Sequence, residues 1–248
     1  MIKNKTDLMV IAPHPDDLEI ACGGTIAKLG QQGKSVVAID LTRGEMASRG
    51  TPELRQVEVS KANVILGIKA RENLSIEDGK VFNTWENQIK IAKVVRKYRP
   101  QFVMVPYWAC RHPDHYRSSE LSYEAIFLAG LKKHVDGEEA FRPDRIIYYM
   151  LHEEFEPTFI VDISEHFEVK KNALMAYGSQ FGKPEDGKEV TYISGQPFLD
   201  LIETRSRYYG SQIGRKYGEA FLIKEKIELA DPLAFLATQG KTLNRPMG

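Results

Sequence analysis

Over its first 150 residues the chain alternates short apolar runs with longer segments of helical period, and that alternation leaves few architectures open. Strand-sized runs separated by helix-sized segments build a parallel sheet covered by helices. Strands are expected at Leu8 to Ala12, Ser35 to Leu41, Phe102 to Pro106 and Arg145 to Met150, with a weaker one near Glu72 to Ile76. Helices are expected from Gly23 to Gly33, from Thr84 to Tyr98 before Pro100, and from Ser118 to Leu131. Another opens with Thr51 as N-cap and Pro52 at its first position, and runs to Leu66 before Gly67.

Beyond residue 150 the pattern loosens. It predicts a strand at Thr158 to Ile163, a helix capped by Ser164, a polar loop from Gly182 to Gly195, a helix from Phe198 to Ile213 and a frayed tail after Gly240. The mixed charges of that loop read as solvation, with a mobile active-site flap as the alternative. The expected fold class is therefore α/β: a Rossmann-like, mostly parallel sheet with helices on both faces. One domain over residues 1–248 is expected, its core spanning about 7–165.

Charge narrows the partners. The 34 Lys and Arg equal the 34 Asp and Glu, for a formal net charge of zero. Nucleic-acid binders and membrane-surface proteins usually carry a basic excess, so neither class is expected. The longest apolar stretches, such as Phe102 to Pro106, are strand-sized. Lys3 and Lys5 precede too few apolar residues for a secretory segment, which points to a cytoplasmic protein. Cys22 and Cys110 lie far apart without CxxC spacing and read as two reduced, largely buried thiols.

Two polar clusters carry the chemistry. Pro13-His14-Pro15-Asp16-Asp17-Leu18-Glu19 follows the first strand, and Arg111-His112-Pro113-Asp114-His115 follows the Phe102 to Pro106 strand. In a sheet of order 3-2-1-4 those strands are neighbours at the switch point, where open α/β sheets bind ligands. Histidines and carboxylates meeting there are a donor set for a catalytic zinc, which takes three protein groups. The surplus residues suit the proton transfers of a hydrolase. The bland alternative is that Asp16 or Asp17 merely caps the following helix. Gly23-Gly24 fits neither GxGxxG nor GxxxxGK[ST], and Gly24 reads as a point of close packing.

The pair HPDDxE and HPDH on this α/β background resembles the LmbE/PIG-L family of zinc-dependent N-acetylglucosaminyl deacetylases, over nearly the whole chain. The resemblance is closest to the bacillithiol biosynthesis branch. It is carried by Arg111, by Gly50-Thr51 with Leu54-Arg55, by Ala125 to Gly130, by Ser179-Gln180-Phe181, and by Glu203 to Gly210. It implies zinc ligands at His14, Asp17 and His115, a general base at Asp16, and a general acid or oxyanion stabiliser at His112, oriented by Asp114. The ligand set would also accept Fe(II), Mn(II) or Co(II).

The implied substrate is N-acetylglucosaminyl malate, a small-molecule sugar conjugate. The alternatives are another N-acetylated sugar or thiol conjugate, or a metal-binding protein without catalysis. Substrate contacts are expected from Arg55 and Arg111, as carboxylate-binding arginines, and from Arg43 and Glu45. Cys110 stands where some relatives place an aromatic hydroxyl, with a thiolate metal ligand as the alternative role. His134, His152 and His166 lack clustered partners and read as surface or satisfied core residues. A homo-oligomer is expected by resemblance.

Overall fold

In a computed structural model, which describes residues 6–133, 135–183 and 189–238, the first strand β1 (Thr6–Ala12) divides its side chains between two cores. Leu8, Val10 and Ala12 enter one apolar cluster, and Met9 and Ile11 enter another. That is why the run is apolar without alternation: a strand buried on both faces has no polar side. Around it lie β2 (Val36–Asp40), β3 (Ala70–Asn73), β4 (Pro100–Pro106), β5 (Arg145–Tyr149), β6 (Phe159–Asp162) and β7 (Gly218–Leu222). The sheet order is β3-β2-β1-β4-β5-β7-β6, and β7 pairs antiparallel with both of its neighbours. The other pairings are parallel.

Helices cover both faces, as the α/β expectation requires. α1 (Asp17–Gln31), α2 (Pro52–Leu66), α5 (Phe167–Met175) and α7 (Gln196–Gln212) contribute to the first cluster. α3 (Trp85–Tyr98) and α4 (Pro113–Ala129) form the opposite one. Two short helices complete the set, α6 (Gly178–Phe181) and α8 (Pro232–Thr238). No described helix is long and apolar enough to cross a membrane.

Local signals placed some boundaries well. The Thr51 side chain accepts a hydrogen bond from the Leu54 amide at 3.2 Å, Pro52 opens α2, and Gly67 ends it in the left-handed region at φ 68°. Thr84 likewise caps α3, which Arg99 ends at φ 48°.

Other boundaries move. α1 begins at Asp17, not Gly23, and bends at Cys22 (φ −138°, ψ 18°). Past the bend Glu219 of β7 accepts from the amides of Gly24 and Thr25 at 3.0 and 2.7 Å, an N-terminal cap supplied from across the fold. Gly24 is a close-packing glycine: a Cβ there would lie 2.7 Å from Ile163 Cδ1. α4 begins at Pro113, five residues before the expected Ser118, so the second motif is itself the first turn of that helix. Ser164 does not cap α5. Its hydroxyl donates to Asp162 Oδ1 at 2.7 Å, and His166 occupies the cap position. β7, α6 and α8 have no counterpart in the sequence expectation. His134 and the tail after Gly240 lie outside the described residues, as do residues 184–188 of the polar loop.

Candidate active site

The carboxyl ends of β1 and β4 are adjacent, with β2 on the other side of β1. The two His-Pro-Asp clusters therefore face one another. The β1 cluster turns sharply into α1, and Asp16 takes φ 121°, a conformation rare for any residue but glycine. Such strain persists only where its surroundings hold it, and it gathers at functional sites. Arg55 of α2 does the holding: its Nη1 donates to Pro15 O at 2.6 Å and to Asp16 Oδ2 at 2.8 Å. Asp16 thus sits at the N-cap position without capping the helix.

Asp17 is the junction of the clusters. Its Oδ2 accepts from the His14 amide at 3.0 Å and lies 3.1 Å from His14 Nδ1 and 3.4 Å from His115 Nε2. The reverse side of His14 meets two more carboxylates: Nε2 is 3.1 Å from Asp78 Oδ1 and 3.4 Å from Asp114 Oδ2. Asp114 is itself fixed by the amides of Gly79 and Val81 at 2.7 and 3.4 Å. Its carboxylate serves His14 and does not orient His112 as expected. His112 Nδ1 instead accepts from the Asp114 main-chain amide at 3.2 Å, because His112 is the N-cap of α4. With Nδ1 accepting, the remaining proton of a neutral ring is on Nε2.

Electrostatics follow from this geometry. Burial raises Asp16 to about 7, against the pull of Arg55. Burial, with His115 and His14 nearby, brings His112 down to about 4. Burial works against a charge on His115, yet Asp17 carries it up to about 9. His14 is raised as well, by Asp114, Asp17 and Asp78 against its burial.

These values bear on whether a metal fits. Asp17, Asp78 and Asp114 lie within 3.4 Å of ring nitrogens of His14 or His115, and that negative charge raises both histidines against their burial. A divalent cation held by the same groups would offset the same charge. His14, Asp17 and His115 offer two nitrogens and a carboxylate within 4.8 Å of one another, the three-ligand pattern of a catalytic site. His14, His112 and Asp114, and likewise Cys110, His115 and His152, also bring three donor atoms within 4.8 Å of one another.

The site opens into a cavity of about 410 Å³, lined by His14, Asp16, Asp17, Arg55, His112 and His115. Arg111, Leu151, His152, Tyr192, Ile193 and Phe198 also line it. Two expected substrate contacts fall outside it. Arg43 is exposed, and the Glu45 carboxylate is used to brace its own loop, accepting from the Asp78 and Arg43 amides at 3.0 and 3.1 Å. Arg55 does line the cavity, with one guanidinium nitrogen engaged by Asp16. Arg111 lies over the Tyr192 ring at 4.2 Å, and among the described residues no carboxylate pairs with it.

Some participants escaped the sequence. Asp78 sits in the loop after β3 and looks like part of an ordinary turn, next to Gly79. His152, expected to be unremarkable, faces the cavity beside Cys110. Tyr192 belongs to the polar loop, whose described flank forms part of the wall. The Ser179-Gln180-Phe181 motif clamps α2 and the loop before it: Ser179 donates twice to Glu58 of the helix, and Gln180 Nε2 donates to Arg49 O of the loop at 2.7 Å. His166, by contrast, is a satisfied residue, its Nε2 being 2.6 Å from Gln31 Oε1.

Comparison with known proteins fits these residues into a wider set. The profile of the PIG-L family, described as GlcNAc-PI de-N-acetylase, matches residues 9–126. Diacetylchitobiose deacetylase of Thermococcus kodakarensis is 35% identical over 230 residues, covering 86% of this chain and 80% of its own. A probable N-acetyl-alpha-D-glucosaminyl L-malate deacetylase 2 of Bacillus anthracis is 28% identical, covering 79% and 96%. Among solved structures, a conserved protein of Thermus thermophilus superposes with a TM-score of 0.83 at 40% identity, covering 92% of this chain and 98% of that one.

Proposed function

The chain belongs to the PIG-L family of deacetylases acting on N-acetylglucosamine-containing substrates, and from that premise we propose that it hydrolyses the N-acetyl group of a small N-acetylglucosaminyl conjugate with zinc as its metal. The observation that carries the proposal is Asp16, a strained and buried carboxylate that lines the same cavity as His14, Asp17 and His115 and that the helix does not use as a cap. A purely structural metal site has no need of it.

His14, Asp17 and His115 would hold the metal, which supplies Lewis acidity to the water and to the amide carbonyl. Asp16, raised to about 7, is poised as a general base at neutral pH and takes a proton from the water as its oxygen adds to the acetamide carbon. His112 is brought down to about 4, so at neutral pH it is a neutral ring whose Nε2–H donates to the developing oxyanion. That supports oxyanion stabilisation over general acid catalysis as the role of His112. The C–N bond then breaks, the proton on Asp16 passes to the departing amine nitrogen, and the product acid gives its remaining proton to the amine or to solvent and leaves as acetate. Arg55 holds Asp16 in place throughout.

Two aglycones are supported by different observations. The cavity continues, through Arg111, His152, Tyr192 and Phe198, into a groove lined by Tyr208, Thr204, Glu153 and Glu154, and this suits a second, neutral sugar. Arg111 alone, with no acidic partner among the described residues, suits the malate carboxylates. Acetate release from N,N′-diacetylchitobiose, N-acetylglucosaminyl malate and free N-acetylglucosamine, measured side by side on zinc-loaded protein, decides between them. Equal rates on all three would remove any role for the aglycone, and no release from any would sink the deacetylase proposal. Asp16→Asn should lower kcat by about 10²–10⁴ while retaining the metal.

A further inference from the structure

A histidine that binds a metal through one ring nitrogen is oriented by whatever the other nitrogen meets, usually a carboxylate, a carbonyl or water. His14 follows that rule: Nδ1 faces Asp17, and Nε2 faces Asp78 and Asp114. His115 does not. Its Nε2 faces Asp17, and its Nδ1 lies 3.2 Å from the sulfur of Cys110. Cys110 in turn lies 3.3 Å from His152 Nδ1, and the His152 ring stacks on His115 at 5.5 Å with 24° between planes. The His115 ring also stacks on His112, at 4.6 Å and 23°.

We propose that Cys110, backed by His152, is the positioning residue of His115: the sulfur fixes the ring's tautomer and tilt, so that Nε2 is presented to the metal beside Asp17. The inference rests on the metal role given to His115 above. His115 is 3% exposed, so no bulk water can take the place of the sulfur without rearrangement. At Nδ1 the polar neighbour is the sulfur, while the Ser118 hydroxyl donates to the His115 carbonyl at 2.8 Å and does not reach the ring. His152, which lines the cavity, meets the sulfur at 3.3 Å and thereby links the cavity wall to His115.

The test measures metal affinity, independently of any substrate. Zinc dissociation constants are determined by chelator competition for the wild type, Cys110→Ala, Cys110→Ser, His152→Ala and the control Cys22→Ala, whose thiol is buried elsewhere. Circular dichroism verifies that each variant is folded. Cys110→Ala should weaken zinc binding by about 10–100-fold, and Cys110→Ser should recover most of the loss by restoring a polar group. His152→Ala should fall between wild type and Cys110→Ala, and Cys22→Ala should match wild type. Unchanged affinity in Cys110→Ala would overturn the proposal while leaving the deacetylase reading intact; a wild type that binds no zinc would overturn both. Cobalt-loaded protein adds a spectroscopic check. A sulfur-to-cobalt charge-transfer band that vanishes in Cys110→Ser would make Cys110 a ligand, and the positioning role would be wrong.

Discussion

Removing the Glu219 carboxylate should destabilise the protein far more than removing its cationic partner. Glu219 and Lys170 are both almost fully buried and meet at 2.6 Å. Leaving one member of such a pair without the other costs about 3–5 kcal/mol. The two residues are not equivalent, however. Glu219 also accepts from the Gly24 and Thr25 amides, so Glu219→Ala strands Lys170 and strips a cap worth about 1 kcal/mol from the second half of α1. Lys170→Met leaves Glu219 with both amide donors and fills the space of the lysine stem, so a cost of about 1–3 kcal/mol is expected.

The sum for Glu219→Ala is about 4–6 kcal/mol, which corresponds to a fall in Tm of roughly 10–20 °C for a chain of this size. The double variant Lys170→Met, Glu219→Leu should regain the charge penalty and keep the cap penalty. Urea titrations of metal-depleted protein, followed by circular dichroism, rank the three. If Lys170→Met proves as damaging as Glu219→Ala, the capping role assigned to Glu219 is wrong.

Three further outcomes are expected. Gly24→Ala should destabilise by about 1–3 kcal/mol, because its Cβ would meet Ile163 and the clash outweighs the helix-propensity gain of up to about 1 kcal/mol; equal or greater stability in a thermal melt would contradict the packing. Asp78→Ala should weaken zinc binding by about 10–100-fold through His14, and wild-type affinity in chelator competition would show that Asp114 suffices. Burial acts to raise Asp162, but the Ser164 hydroxyl and amide and the Arg215 guanidinium outweigh it and hold the carboxylate below its ordinary value. Its contribution to stability is therefore present above the unfolded pKa and lost as pH falls through the folded one, so Asp162→Asn should flatten the acid limb of the stability curve. An unchanged acid limb would remove Asp162 from the linkage.

What the sequence revealed depended on how locally each feature is determined. β1 was legible because burial on both faces makes its run continuously apolar, and the start of α2 because Thr51 and Pro52 are enough to make it. The start of α1 was not, because its bend at Cys22 is stabilised by Glu219, nearly two hundred positions along the chain. β7 stayed hidden for a similar reason: its partners β5 and β6 precede it, and it enters between them against the direction of the sheet. The start of α4 was in plain view as Pro113 at a first helical position, but a histidine cap does not announce a helix as serine or threonine does.

The site divides in the same way. The motif residues His14, Asp16, Asp17, His112 and His115 converge as strand order required. Arg43 and Glu45 lie only a few residues beyond β2, yet their loop spends its polar groups on itself. Asp78 became visible only when the fold brought it to His14.

The lining of the cavity draws on two stretches of the polypeptide. His14, Asp16, Asp17, Arg55, Arg111, His112 and His115 all lie within residues 9–126, whereas Leu151, His152, Tyr192, Ile193 and Phe198 lie after them. The proposed metal-binding and proton-transfer residues thus lie in the first stretch, and the wall beyond them is shared between Arg111 and the later segments. A chimera that keeps the first 126 residues and takes its later segments from a relative tests how far those segments set the choice of substrate. Within that scheme Cys110 and His152 are the pair that must be exchanged together, since one comes from each part.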